Sequence, residues 1–213
     1  MPSSIQFTLC SEGPSDRVLL RHIEWALENL TALPFSGEWA DPSVFQNPSK
    51  DVMSRVSQAV AYYPCNLLFV HRDADGQGYE GRKNEVVDSL RRAGVGIPAV
   101  AVIPVRMTES WLLCDESALR KAAGRPRGAV KLPIPTIKSL ERHANPKQTF
   151  EDCLCTASEK TGRKLDVFRR DLPSLKYRVA ELIEDFSQLE SVPAFKSFMT
   201  DLKLSLDAIA MRD

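Results

Sequence analysis

Four acidic residues carry the chemistry that this sequence offers. Glu12, Asp73, Asp75 and Glu109 each come at or shortly after the end of a short strand-forming run. In an open parallel sheet, ligands bind outside the carboxyl ends of the strands. Carboxylates brought together there repel one another unless cations lie between them. No His/Cys set with metal-ligand spacing accompanies them, so the oxygen-only donors point to Mg²⁺ or Mn²⁺ rather than Zn²⁺. Asp73-Ala74-Asp75, read as an extended segment, aims both acids to one side because strand side chains alternate with period two. Taken singly, each acid reads equally well as a helix cap or a solvated loop residue. Their joint placement at three strand ends is what points to a shared site.

The elements that must position these acids are legible in outline. Ile5–Cys10 alternates and is rich in strand formers. Ser11-Glu12-Gly13-Pro14-Ser15 then reads as a turn, with Ser15 capping a helix that carries Val18, Leu19, Ile23, Ala26, Leu27 and Leu30 at helical spacing. Residues 34–49 show no clear period and read as loop, and a second helix is expected over Asp51–Tyr62. Asn66–Val70 is a continuous apolar run, the signature of a strand buried on both faces. It leads into Asp73 and Asp75, and a helix is predicted over about residues 82–93. Residues 98–104 form a third buried strand. Strands alternating with helices imply right-handed βαβ units, hence an α/β fold with a mainly parallel sheet flanked by helices. Beyond residue 115 the pattern becomes mainly helical, with a basic, Pro/Gly-punctuated loop over Arg120–Pro135 and helices expected at 147–157, 173–189 and 193–208. The organisation read from this is a catalytic α/β core over residues 1–115 and a basic helical extension over 116–213 packed on it.

Two motifs carry a family resemblance. Glu12-Gly13-Pro14-Ser15-Asp16 after the first strand, and Asp73-Ala74-Asp75-Gly76 after an apolar strand, resemble the TOPRIM fold of topoisomerases, primases and OLD-type nucleases. The likeness covers roughly residues 5–113. Met107-Thr108-Glu109-Ser110-Trp111-Leu112-Leu113-Cys114-Asp115, with the helical tail, is similar to a little-characterised bacterial TOPRIM-like family linked with phage defence. No topoisomerase-like Tyr context and no primase zinc module accompany the motifs. The resemblance therefore implies a Rossmann-like TOPRIM core and a Mg²⁺-dependent nuclease, an effector of antiviral defence. Two ions ~3.5–4 Å apart would activate water and stabilise the leaving oxygen. Asp73 would hold or bridge the first ion, Asp75 and Glu109 the second, and Glu12 would be a ligand or general base. Arg72 and Arg106, close in sequence to the acids, would neutralise a phosphate or pair with the same acids.

Charge and composition give the wider frame. The 28 Lys+Arg and 28 Asp+Glu cancel over 213 residues, but unevenly. Net charge is −5 over residues 1–118, +9 over 119–178 and −4 over 179–213. A basic block attracts a phosphate backbone in a salt-dependent manner. Lys147, Lys164, Lys176 and Arg178 are the candidate substrate contacts within it, and its few aromatics (Phe150, Phe168, Tyr177) give little support to base stacking. The expected partner is nucleic acid, DNA or RNA, held through its backbone. An ATPase subunit and a homodimer are further candidates. No apolar run approaches a membrane span, the N-terminus lacks the pattern of an export signal, and five cysteines in a chain of this size read as reduced thiols, so a cytoplasmic location is expected.

Competing motifs are weaker. Asp73, Asp75, Gln77 and Gly78 match the start of a calcium loop, but Asn84 stands where its closing Glu belongs, and a strand precedes the segment. Cys153-Leu154-Cys155 has no second pair for a zinc site. His71, beside Asp73, is a candidate for fixing the loop. The alternatives are a non-catalytic TOPRIM-like subunit that binds nucleic acid or an ATPase partner and, more remotely, a nucleotide-sugar transferase using Asp-x-Asp. The transferase would leave Glu12-Gly13 unexplained.

Overall fold

A computed structural model describes residues 3–46 and 49–211. Its centre is a four-stranded, all-parallel sheet in the order β2-β1-β3-β4. The strands are β1 (Ile5–Cys10), β2 (Phe35–Trp39), β3 (Leu67–His71) and β4 (Ala99–Val102). β1 lies between β2 and β3, with Leu9 opposite both Trp39 and Phe69. The β3–β4 register sets His71 against Val102.

Period-two alternation sends each strand's side chains to two separate cores. Ile5, Phe7, Leu9, Leu67, Phe69, Val100 and Val102 face one side. Cys10, Leu68, Val70, Ala101 and Ile103 face the other. On the first side lie α1 (Leu19–Leu30) and the apolar residues of the chain beyond residue 108. α2 (Val52–Tyr62) and α3 (Gly78–Arg92) cover the second. The result is an α/β Rossmann-like arrangement with helices on both faces.

The remaining helices are α4 (Glu109–Leu112), α5 (Glu116–Ala122), α6 (Pro146–Ser158), α7 (Gly162–Arg170), α8 (Leu172–Leu182) and α9 (Pro193–Ala210). They share one continuous apolar cluster with the sheet. Trp111 of α4 is fully buried at its centre, edge-on to Phe195 of α9 at 5.0 Å and 6.2 Å from Phe198. Phe198 in turn meets Phe69 of β3 at 6.3 Å, so the segment carrying Glu109 is anchored to the sheet through α9.

Several local expectations are corrected. Residues 34–49 contain β2, whose side chains are mostly exposed, as on an edge strand, and so leave no apolar pattern. Its Gly37 is required by close approach: a Cβ there would lie 2.4 Å from the Phe7 ring. The first helix begins with a 3₁₀ turn over Pro14–Val18, capped by Gly13 and Asp16 rather than by Ser15. α3 starts at Gly78, four residues earlier than the apolar pattern indicates. α5 occupies the start of the basic stretch expected as loop, and α7 forms where the sequence pattern indicates no helix. The stretch 173–189 divides into α8 and a separate 3₁₀ turn over Ser187–Ser191.

Candidate active site at the strand ends

Three loops meet beyond the carboxyl ends of β1, β3 and β4. Backbone hydrogen bonds tie two of them together: Arg72 N–H donates to Val102 O at 3.3 Å and Ala74 N–H to Pro104 O at 3.2 Å. The β1 loop is held by Arg55 of α2, which donates to the carbonyls of Ser11 at 2.7 Å and Glu12 at 2.6 Å. Such loops place side chains accurately because their backbone groups are already satisfied.

Asp73 lies at the centre. Burial and the negative charges of Asp16, Glu109 and Glu12 push its carboxyl up to about 6, against the opposing pull of His71. Acids from the other two loops are therefore within electrostatic reach of Asp73. Asp73 Oδ1 is buried and has no hydrogen-bond partner. His71 explains part of this geometry. Its Nδ1 lies 2.9 Å from Val102 O, a carbonyl that only accepts, so Nδ1 carries a proton. Nε2 then faces Asp73 Oδ1 at 3.5 Å and Asp16 Oδ2 at 3.9 Å. Nε2 also lacks a hydrogen-bond partner.

The other acids are each held by a cation. Glu12 pairs with Arg72, and Arg72 Nε lies 3.5 Å from Glu85. Glu109 pairs with Lys176 Nζ of α8 at 3.0 Å, and each of these side chains is only 11% exposed. Asp75 faces Arg82 Nη2 at 3.6 Å, and Arg82 also bonds Asp73 O and Glu85. The segment after Asp73 is not extended. Ala74 is helical in backbone and Asp75 is left-handed at φ +41°. That turn breaks the alternation that would have kept Asp73 and Asp75 on one side. Asp75 instead opens a 3₁₀ turn over Asp75–Gln77 that leads into α3, with its side chain half exposed.

The basic candidates are dispersed. Arg72 and Lys176 lie in the site as partners of its acids. Arg106 is exposed on the β4–α4 loop in a left-handed conformation, φ +69°. Lys147 is exposed on α6 and lines a cavity that Glu109 and Lys176 also line. Lys164 is exposed on α7, and Arg178, exposed on α8, pairs with Glu181 at 3.3 Å. Asp16 and Arg82 were not singled out from the sequence. Asp16 accepts from Gly13 N–H at 3.0 Å and Ser15 Oγ at 3.1 Å, so in the sequence it carries only a helix-start signal. Arg82 falls inside a charged helical stretch with nothing to distinguish it.

The fit of a divalent cation rests on the donors themselves. Among the described residues, no group of three or more His, Cys, Asp or Glu side chains is arranged to hold a metal ion. A closed all-protein cage of the zinc type is therefore not formed. Mg²⁺ makes a different demand, being usually held by one or two carboxylates, waters and substrate phosphate. A buried carboxylate with a free oxygen among further acids suits that requirement. All five cysteines are free, and among the described residues no helix is long and apolar enough to cross a membrane. Comparison of the chain with protein-family models, with curated proteins and with solved structures returned no match.

Proposed function

We propose that the chain is a Mg²⁺-dependent phosphodiesterase acting on nucleic acid. The observation that carries this reading is Asp73, a buried carboxyl with one unpartnered oxygen, surrounded by acids from two other strand-end loops. A buried carboxylate left without a hydrogen bond at the ligand end of a parallel sheet is costly unless a cation is bound there. Asp73 would hold the ion, with Glu12 and Glu109 the nearest further donors. A bound Mg²⁺ supplies charge stabilisation at a phosphoryl oxygen and an acidified water.

The chain's own residues then have defined tasks. Arg72 and Lys176 neutralise Glu12 and Glu109 in the present arrangement. Were those acids to hold a cation, both basic groups would be free to face the oxygens of a phosphodiester. His71, fixed by Val102 O, turns Nε2 toward Asp73 and Asp16 and so orients their carboxylates. The two-ion arrangement asks for Asp75 beside Glu109, and the Asp75–Arg82 contact favours a single ion instead. A role in phage defence, the basic surface as the backbone contact, and a cytoplasmic location belong to the same proposal.

The test is cleavage of single- and double-stranded DNA and RNA with Mg²⁺, Mn²⁺ or EDTA. Wild type should cleave at least one substrate only with metal, and Asp73→Ala and Glu12→Ala should each lose about 100-fold or more. Cleavage unchanged in EDTA, or full activity in Asp73→Ala, refutes the reading. The Arg72–Glu12 and Lys176–Glu109 pairs favour a second reading, a non-catalytic subunit that binds nucleic acid or an ATPase partner with its acids permanently neutralised. Binding that survives Asp73→Ala, with no cleavage by wild type, selects it.

A further inference from the structure

A cavity of about 390 Å³ opens beside the acidic site, between the start of the first helical turn, α6 and α8. Its volume is within the range of small-ligand sites. It shares a wall with the site, because Glu109 and Lys176 line it. Phe150, Leu172, Pro173 and the Tyr177 ring supply apolar surface. Tyr177 is fixed there by its hydroxyl, which donates to Pro14 O at 2.6 Å.

Two features of the cavity favour an anion. α6 and α8 are 13 and 11 residues long, and both have first-turn residues in its lining, Lys147 for α6 and Leu172 and Pro173 for α8. The first turns of both helices, where their dipoles are positive, therefore border the same space. Lys147 is exposed at that end and adds a positive charge. Glu109 is already matched by Lys176. Glu151 remains as a half-buried acceptor on the wall. An apolar slot, a cationic end and one carboxylate form the complement of a nucleoside monophosphate: a base against the apolar side chains, a phosphate by Lys147, and a sugar hydroxyl donating to Glu151.

We propose that this cavity binds one nucleotide of the substrate strand, next to the scissile phosphate. The proposal deepens the phosphodiesterase reading and rests on it for the identity of the neighbouring phosphate. It goes beyond that reading because it assigns base and sugar contact to a site made by the C-terminal helices. The basic stretch alone gives no reason to expect either contact.

The test uses the full chain in EDTA, so that no strand is cut, with calorimetric titration of adenosine 5′-monophosphate, adenosine and inorganic phosphate. The monophosphate should bind about tenfold or more tightly than either fragment. Lys147→Glu, an exposed substitution, should weaken the monophosphate about tenfold and leave adenosine unchanged. Leu172→Trp, which fills the slot, should abolish binding of both nucleosides. Failure of the monophosphate to bind at millimolar concentration, or unchanged binding in Lys147→Glu, overturns the proposal even if the enzyme cleaves nucleic acid. Binding that follows the expected pattern in a protein that cleaves nothing with Mg²⁺ upholds the cavity and refutes the phosphodiesterase reading.

Discussion

Asp73→Asn separates a stability cost from a functional need. The carboxyl is raised from 3.8 to about 6, and each unit corresponds to about 1.4 kcal/mol. The folded state therefore binds more protons than the unfolded state between those two values. Stability falls as pH rises through that window, and the loss is complete above about pH 6. At pH 7.5 the ionised Asp73 costs the metal-free fold about 3 kcal/mol, shrinking to about half of that at pH 5. Asn keeps the shape and cannot ionise. In EDTA at pH 7.5, Asp73→Asn should be the more stable protein by up to ~3 kcal/mol, with a smaller gain at pH 5. Urea unfolding at both pH values measures this. Mg²⁺ should reverse the order. Wild type gains about 4.1 kcal/mol when Mg²⁺ is at about a thousand times its dissociation constant, and the variant gains little. A variant less stable than wild type at pH 7.5 in EDTA would show that Asp73 is held by favourable contacts, and the argument for an uncompensated acid would fail.

Three further substitutions probe the scaffold. His22 is fully buried, packed 4.2 Å from Phe186, and pushed down to about 3 by desolvation. Its stabilising effect is present above the ordinary histidine value and is lost as pH falls below it, so His22→Leu should flatten the acid limb of a stability–pH profile. Gly37→Ala places a Cβ 2.4 Å from the Phe7 ring. It should cost about 1–3 kcal/mol by chemical denaturation, with partial rescue by Phe7→Leu. Trp111→Ala should cost about 3–5 kcal/mol in the same assay and also lower any metal-dependent activity, because Trp111 anchors the helix that begins at Glu109.

What the sequence made legible follows from what each element buries. β1, β3 and β4 are buried on both faces or nearly so, and apolar runs mark them. β2 is held to β1 by backbone pairing and exposes its middle residues, so nothing in its side chains announces a strand. The site divides in the same way. Glu12, Asp73 and Glu109 follow strands whose order brings their loops together, and strand ends are readable. The expected orientation of Asp75 fails because Ala74 and Asp75 both leave the extended conformation on which side-chain alternation depends. Asp16 and Arg82 act through contacts between segments that no local pattern encodes.

The pairing of acids and bases in the site bears on how it would work. Lys176 and Glu109 are both nearly buried, and breaking such a pair by removing one partner leaves an uncompensated charge worth about 3–5 kcal/mol. A pair of that kind is poor as a stabiliser, because an apolar pair of similar size would do as well. Its position, at the wall between the acidic site and the adjoining cavity, gives it another use. An incoming cation would compete with Lys176 for Glu109, and an incoming phosphate would compete with Glu109 for Lys176. Were both to arrive together, each ionic group would exchange one partner for another and none would be left bare. Binding of cation and of phosphodiester should therefore be mutually reinforcing, since either alone must strand one member of the pair.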